Sequence, residues 1–239
     1  MDAQGLLRQI NLAQSLSEGE GSVLQSSEVA YRQARVFFGQ GRYEEAERHC
    51  LEAVTVQRDN NDRANLVKSL RLLATLAVEK RALTEARTLC EEAIHLADLI
   101  QMPGERASAL YLLSSIQMHN KELDLAEMNL IESYALFKRV GDSRSQGIIL
   151  YQWSWLEEMR GQFAHGLQLA QRSLDISSQL EDKRQMAIVL LHLGDLHTHL
   201  DKHADALKMW QKALDMAREL DHLQLLKQLE KRLEQQKQN

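Results

Sequence analysis

The segments Tyr43-Glu-Glu-Ala46, Leu83-Thr-Glu-Ala86, Leu123-Asp-Leu-Ala126, Phe163-Ala-His-Gly166 and His203-Ala-Asp-Ala206 recur every 40 residues without an insertion. Each ends on a small residue, and seven positions on stands a second small column, Ala53, Ala93, Ser133, Ser173 and Ala213. Seven residues are two turns of an α-helix, so both columns lie on one face and let a second helix approach closely. Upstream, Leu70, Leu110, Leu150 and Leu190 are followed three residues later by Leu73, Leu113, Trp153 and Leu193, then by Ala74, Ser114, Ser154 and Gly194. That i, i+3, i+4 spacing makes a buried helical stripe. Each unit therefore holds two amphipathic helices, A and B. In the second unit, A is expected over 64–78 and B over 83–99.

The connectors agree. The single proline, Pro103, lacks a backbone donor and biases Met102 away from helical angles, so it begins a helix rather than interrupting one. The equivalent polar loops offer Asp62, Asp142 and Asp182 as N-caps.

Composition narrows the class further. Among 239 residues, eleven Gly and one Pro fit a nearly all-helical chain rather than a loop-rich sheet protein. With 34 acidic and 29 basic side chains, the net charge is −5, and no basic stripe marks a site for nucleic acid or an anionic membrane. No apolar run is long enough to insert in a membrane, and no secretory leader is visible, so a cytoplasmic location is expected. Cys50 and Cys90 stand one period apart, which gives neither a disulfide framework nor a zinc motif.

These features resemble the tetratricopeptide repeat, with Leu193-Gly194, Ala206 and Ala213 matching its pattern best and Trp210 standing between the alanines. The unit is longer than the usual one of that family, and no copy carries the proline that usually closes helix B. The resemblance implies an all-α, right-handed superhelical solenoid of antiparallel helix pairs, with about five repeats over 27–221. Residues 222–239 would form a C-terminal capping helix and tail. Residues 1–26 would supply an N-terminal helix, in register as helix B of an incomplete unit, and a flexible connector. The stripe Leu223, Leu226, Leu229 and Leu233 suits a cap, and alternatively the seam of a homodimer.

Stacked helix pairs present a concave face lined by helix A side chains that do not enter the core. The groove positions implied by the resemblance place Tyr111, Met118, Tyr151, Trp155 and Met159 together in units three and four. Aromatic and Met side chains are the usual anchors of partners. The alternative is that they fill space between helices. Lys68 and Arg71 on one flank and Glu158 and Asp195 on the other would orient a ligand with an acidic and a basic end. The expected partner is another protein, bound through a peptide or helical segment, and the protein is expected to be a non-catalytic adaptor. The alternative is a self-associating scaffold.

The groove lacks the Lys and Asn set with which chaperone-binding members hold a peptide carboxylate: Tyr31, Arg35 and Leu72 occupy those places. It also lacks the Asn side chains of peptide-pheromone regulators. Catalysis has little support: no phosphate loop, nucleophile elbow or carboxylate pair is present, and no cofactor or metal is expected. Asp195 and His199 have a metal-capable i, i+4 spacing in the His-rich last unit, but His203 sits in an aromatic packing column. A metal site there is the least favoured reading.

Overall fold

Helices of 16 to 18 residues, nearly all of 17, separated by turns of two or three residues generate the 40-residue period. The computed structural model describes residues 23–238. The expected helix over 4–17 and the connector after it lie outside the described residues. Within them are α1 (Val23–Gly39), α2 (Tyr43–Asp59), α3 (Arg63–Glu79), α4 (Leu83–Leu99), α5 (Pro103–His119), α6 (Leu123–Val140), α7 (Ser143–Met159), α8 (Phe163–Gln179), α9 (Lys183–His199), α10 (His203–Glu219) and α11 (Leu223–Gln238). The expected bounds of the second unit hold to within about a residue. Pro103 opens α5, and Asp62, Asp142 and Asp182 each accept the backbone N–H three residues on, from Asn65, Ser145 and Gln185. These caps satisfy donors that the first helical turn leaves without a partner.

The turns repeat at half the sequence period. Residues 41, 61, 81, 101, 121, 141, 161, 181, 201 and 221 all have positive φ, between 49° and 75°, yet only Gly41, Gly141 and Gly161 are glycine. At nine of these turns the next residue donates back to the carbonyl five positions earlier, as in Ala82 N to Ala77 O at 2.8 Å and Asp182 N to Ser177 O at 2.9 Å. This is the Schellman closure of a helix, which favours a left-handed residue. Side chains at Arg81 and Glu181 therefore carry a steric cost that glycine avoids, partly offset by glycine's larger entropy loss. Arg81→Gly and Glu181→Gly are each expected to stabilise the fold by about 0.5 kcal/mol. Urea unfolding checks this: midpoints that stay put or fall would show that the turns carry no strain.

The chain divides into two compact units, residues 1–120 and 121–239. In the first, consecutive helices α1 to α5 pack together, and α3 also meets α1 and α5, so the A helices lie side by side. Its core contains Leu66, Val67, Leu70, Leu73 and Leu76 from α3. The small columns work as expected: Ala46, Ala53, Ala86 and Ala93 are fully buried, and so are Cys50 and Cys90. Burial pushes both thiols up to about 12, far from the range of a nucleophile.

In the second unit α6 to α11 pack consecutively, and α7 meets α9. Leu190, Leu193, Leu196, Trp210 and Leu214 build its core, which Leu225 and Leu229 of α11 close, with Leu226 and Leu233 at the edge. The last helix is thus a cap. Its inward residues differ from the stripe read in the sequence: Leu225 takes the place of Leu223, which is 71% exposed.

Candidate functional site

Every A helix must bury one face and leave another open, and clefts form on the A-helix layer of each unit. In the first unit α1 and α3, with Glu105 of α5, line a cleft of about 740 Å³. Tyr31, Arg35, Phe38, Lys68, Arg71 and Thr75 line it. Tyr111 is half-buried on α5, and Met118 is buried. Neither lines that cleft.

The second unit gathers aromatic and polar groups from α7, α9, α10 and α11. Tyr151, Trp155, Asp195 and Arg232 border clefts of about 510 and 430 Å³, Tyr151 entering only the smaller. Met159 is 44% exposed on the same helix as Trp155 but outside both clefts. Trp155 is 37% exposed and stacks on the buried His192, with ring centroids 4.5 Å apart and planes 13° apart. Tyr151 meets both rings edge-on, at 6.4 Å from Trp155 and 5.5 Å from His192. Burial pushes the Tyr151 phenol above its usual value.

The hydrogen bonds beneath fix His192. Ser154 Oγ donates its one proton to Gly166 O at 2.7 Å, so the 2.8 Å contact with His192 Nε2 requires that nitrogen to donate to the hydroxyl oxygen. Nδ1 then carries the lone pair. It lies 3.5 Å from Glu158 Oε2, and neither atom has a hydrogen-bond partner among the described residues. The contact would count as an ion pair only if His192 were charged. Burial, followed by the charge of His199, pushes it down to about 3, so the imidazole is neutral. Burial also raises Glu158, against the opposing pull of His199, whose Nε2 lies 3.0 Å from Glu158 Oε1. His199 in turn stacks on Phe163 at 4.4 Å.

Asp195 is not a free charge. Its carboxylate holds Arg232 of α11 through two contacts, at 2.6 and 2.7 Å, and accepts from Trp210 Nε1 at 3.1 Å. That pairing raises the Arg232 guanidinium above its usual value. Arg71 is likewise in contact with Glu105 at 3.1 Å. The expected gradient between Lys68 with Arg71 and Glu158 with Asp195 is therefore largely neutralised inside each unit, and of these four Lys68 alone keeps no partner of opposite charge among the described residues. Asp195 and His199, the metal-spaced pair, turn instead to Arg232 and Glu158. No group of three or more His, Cys, Asp and Glu is arranged for a metal among the described residues. Nor, among them, is any helix long and apolar enough to cross a membrane.

Paired helices in register, capped by an amphipathic last helix, define a helical repeat protein. The tetratricopeptide-repeat family matches the sequence over residues 156–219 and 34–59. The fold is similar to that of BtubC from P. vanneervenii, with TM-score 0.74 at 16% identity over 92% of this chain and 91% of that one. It is also similar to the apo form of RapI, with TM-score 0.73 at 12% identity over 99% and 92%. A Rap protein complexed with competence and sporulation factor gives TM-score 0.72 at 13% identity over 99% and 71%. A sequence search of curated proteins finds no match. Residues 34–59 and 156–219 thus match tetratricopeptide repeats, and repeats of this family are in general non-catalytic interaction modules.

Proposed function

We propose that this protein is a non-catalytic adaptor that holds a peptide or helical segment of another protein on the A-helix face of its second unit, with Trp155 as the anchor and Tyr151 beside it. The observation that carries this reading is the stacking of a partly exposed Trp155 on a buried, neutral His192 that Ser154 fixes in place. A large ring held in one orientation loses little entropy on docking. Its open edge adjoins clefts that can receive neighbouring side chains of the ligand. Met159 extends the apolar surface along α7. Tyr111 belongs to the first unit and would serve a separate contact.

Affinity capture with the wild-type protein and Trp155→Ala, followed by calorimetry on the captured protein's binding segment, tests the proposal. Loss of a central aromatic anchor costs about 2 kcal/mol, or roughly thirtyfold in affinity. Equal affinity for both proteins, with equal helicity by circular dichroism, would move the interface off this face.

A further inference from the structure

The cleft of the first unit has a different chemistry. Arg32 and Arg35 of α1 and Lys68 and Arg71 of α3 converge on it, against Glu28 and Glu105. This surplus of cations stands in a chain whose net charge is −5, so it is a local concentration rather than a reflection of composition. Two of the cations are engaged, Arg32 with Glu28 at 2.6 Å and Arg71 with Glu105 at 3.1 Å. Even so, the buried Arg71 Nε has no hydrogen-bond acceptor among the described residues. Lys68 Nζ reaches only the neutral Asn65 Oδ1, at 3.5 Å, and Arg35 lies over the Tyr31 ring at 6.0 Å. Neither has a carboxylate partner among the described residues.

Cations held this close repel one another, and an acidic ligand would relieve that repulsion. We infer that this cleft binds a Glu- or Asp-rich segment of a partner protein, with Arg35 and Lys68 taking its carboxylates and Tyr31, Phe38 and Leu72 accommodating the intervening side chains. Those apolar lining residues favour a peptide over a nucleic acid, whose continuous phosphate charge would also meet Glu28 and Glu105. The inference rests on the adaptor reading only in taking the occupant to be a protein segment, and its residues are separate from Trp155.

A fluorescently labelled glutamate-rich peptide and its glutamine twin serve as probes, with binding followed by anisotropy. The glutamate peptide is expected to bind at least about tenfold more tightly than its twin and to weaken as salt is raised. Arg35→Gln combined with Lys68→Gln should lose about tenfold, Arg35→Lys should retain most of the binding, and Trp155→Ala should bind as the wild type does. The inference is overturned by equal binding of the twins, by an unchanged double variant, by equal loss in Trp155→Ala, or by a single-stranded oligonucleotide that competes as well as the glutamate peptide. Unfolding of the double variant, seen by circular dichroism, is separated from loss of the site because the twin comparison and the salt response use the wild-type protein. Failure of the Trp155 capture experiment leaves these readouts untouched, so the two readings fall independently.

Discussion

Gly194→Ala is expected to destabilise the second unit by about 3 kcal/mol, and to lower Tm by about 8 °C, although alanine is the better helix former by about 1 kcal/mol. The cause is the indole of Trp210, which packs against Gly194 of α9. A Cβ at Gly194 would stand 2.2 Å from Trp210 Nε1 and 2.3 Å from Cδ1. The ring has little room to yield, because it is buried and Nε1 donates both to Leu191 O at 3.2 Å and to Asp195 Oδ1 at 3.1 Å. Moving it breaks both bonds and loosens Asp195, which ties α11 to the fold through Arg232. Two comparisons separate this clash from a general effect of the substitution. Gly104→Ala, with nothing within 4 Å of the added carbon, should cost nothing. Trp210→Leu in the Gly194→Ala background should cost less than the sum of the two single changes, since the smaller side chain vacates the space. A Tm for Gly194→Ala equal to that of the wild type would mean that the ring does not pack as described.

The same pair shows what a sequence of this kind reveals. Gly194 and Trp210 stand out in the repeat alignment because the fold needs a small residue in one column and fills the space with a large one from another. Columns of that type report on contacts repeated in every unit, and they located the helices, the core faces and the cap. The ten left-handed turn residues were not legible, since seven of them are not glycine and the backbone geometry is set by closing two helices of fixed length. Polar pairs between repeats were also missed. Arg232 with Asp195, His192 with Ser154, and Arg144 with Asp182 are separated by 37 or 38 residues, just under one period. Column matching has no access to such a contact. A search for opposite charges at that separation would have found Arg232 and shown that Asp195, though it borders the clefts, is already paired. Met118 stands at the register position of a groove residue yet is buried, as a long flexible side chain at such a position can be.

Histidine 192 sets the largest expected response to pH. Its folded-state value is pushed down to about 3 from an ordinary 6.5, so the unfolded chain binds a proton between these values that the folded chain refuses. Stability from this group is therefore complete above about pH 6.5 and is lost as pH falls towards about 3. At about pH 4 the loss amounts to about 3 kcal/mol. Glu158 acts in the opposite direction. Because burial raises it, the folded state takes up a proton there before the unfolded state does, and this partly restores stability as pH falls. His199, Asp195 and Arg232 complete the charged surroundings of that carboxyl. The two responses can be separated with His192→Gln, whose amide nitrogen can reach Ser154 Oγ as Nε2 does but does not titrate. The difference in unfolding free energy between wild type and variant, measured by urea titration, should shift by about 3 kcal/mol against the wild type between about pH 7 and about pH 4, while the Glu158 contribution is common to both. A difference independent of pH would place a charged imidazole in the stack. Trp155 would then rest on a cation, and its fluorescence in the folded protein would change through the same range. A neutral His192 predicts that this signal stays constant as long as the fold persists, so the stability difference and the tryptophan signal together fix the protonation state of the ring beneath the proposed anchor.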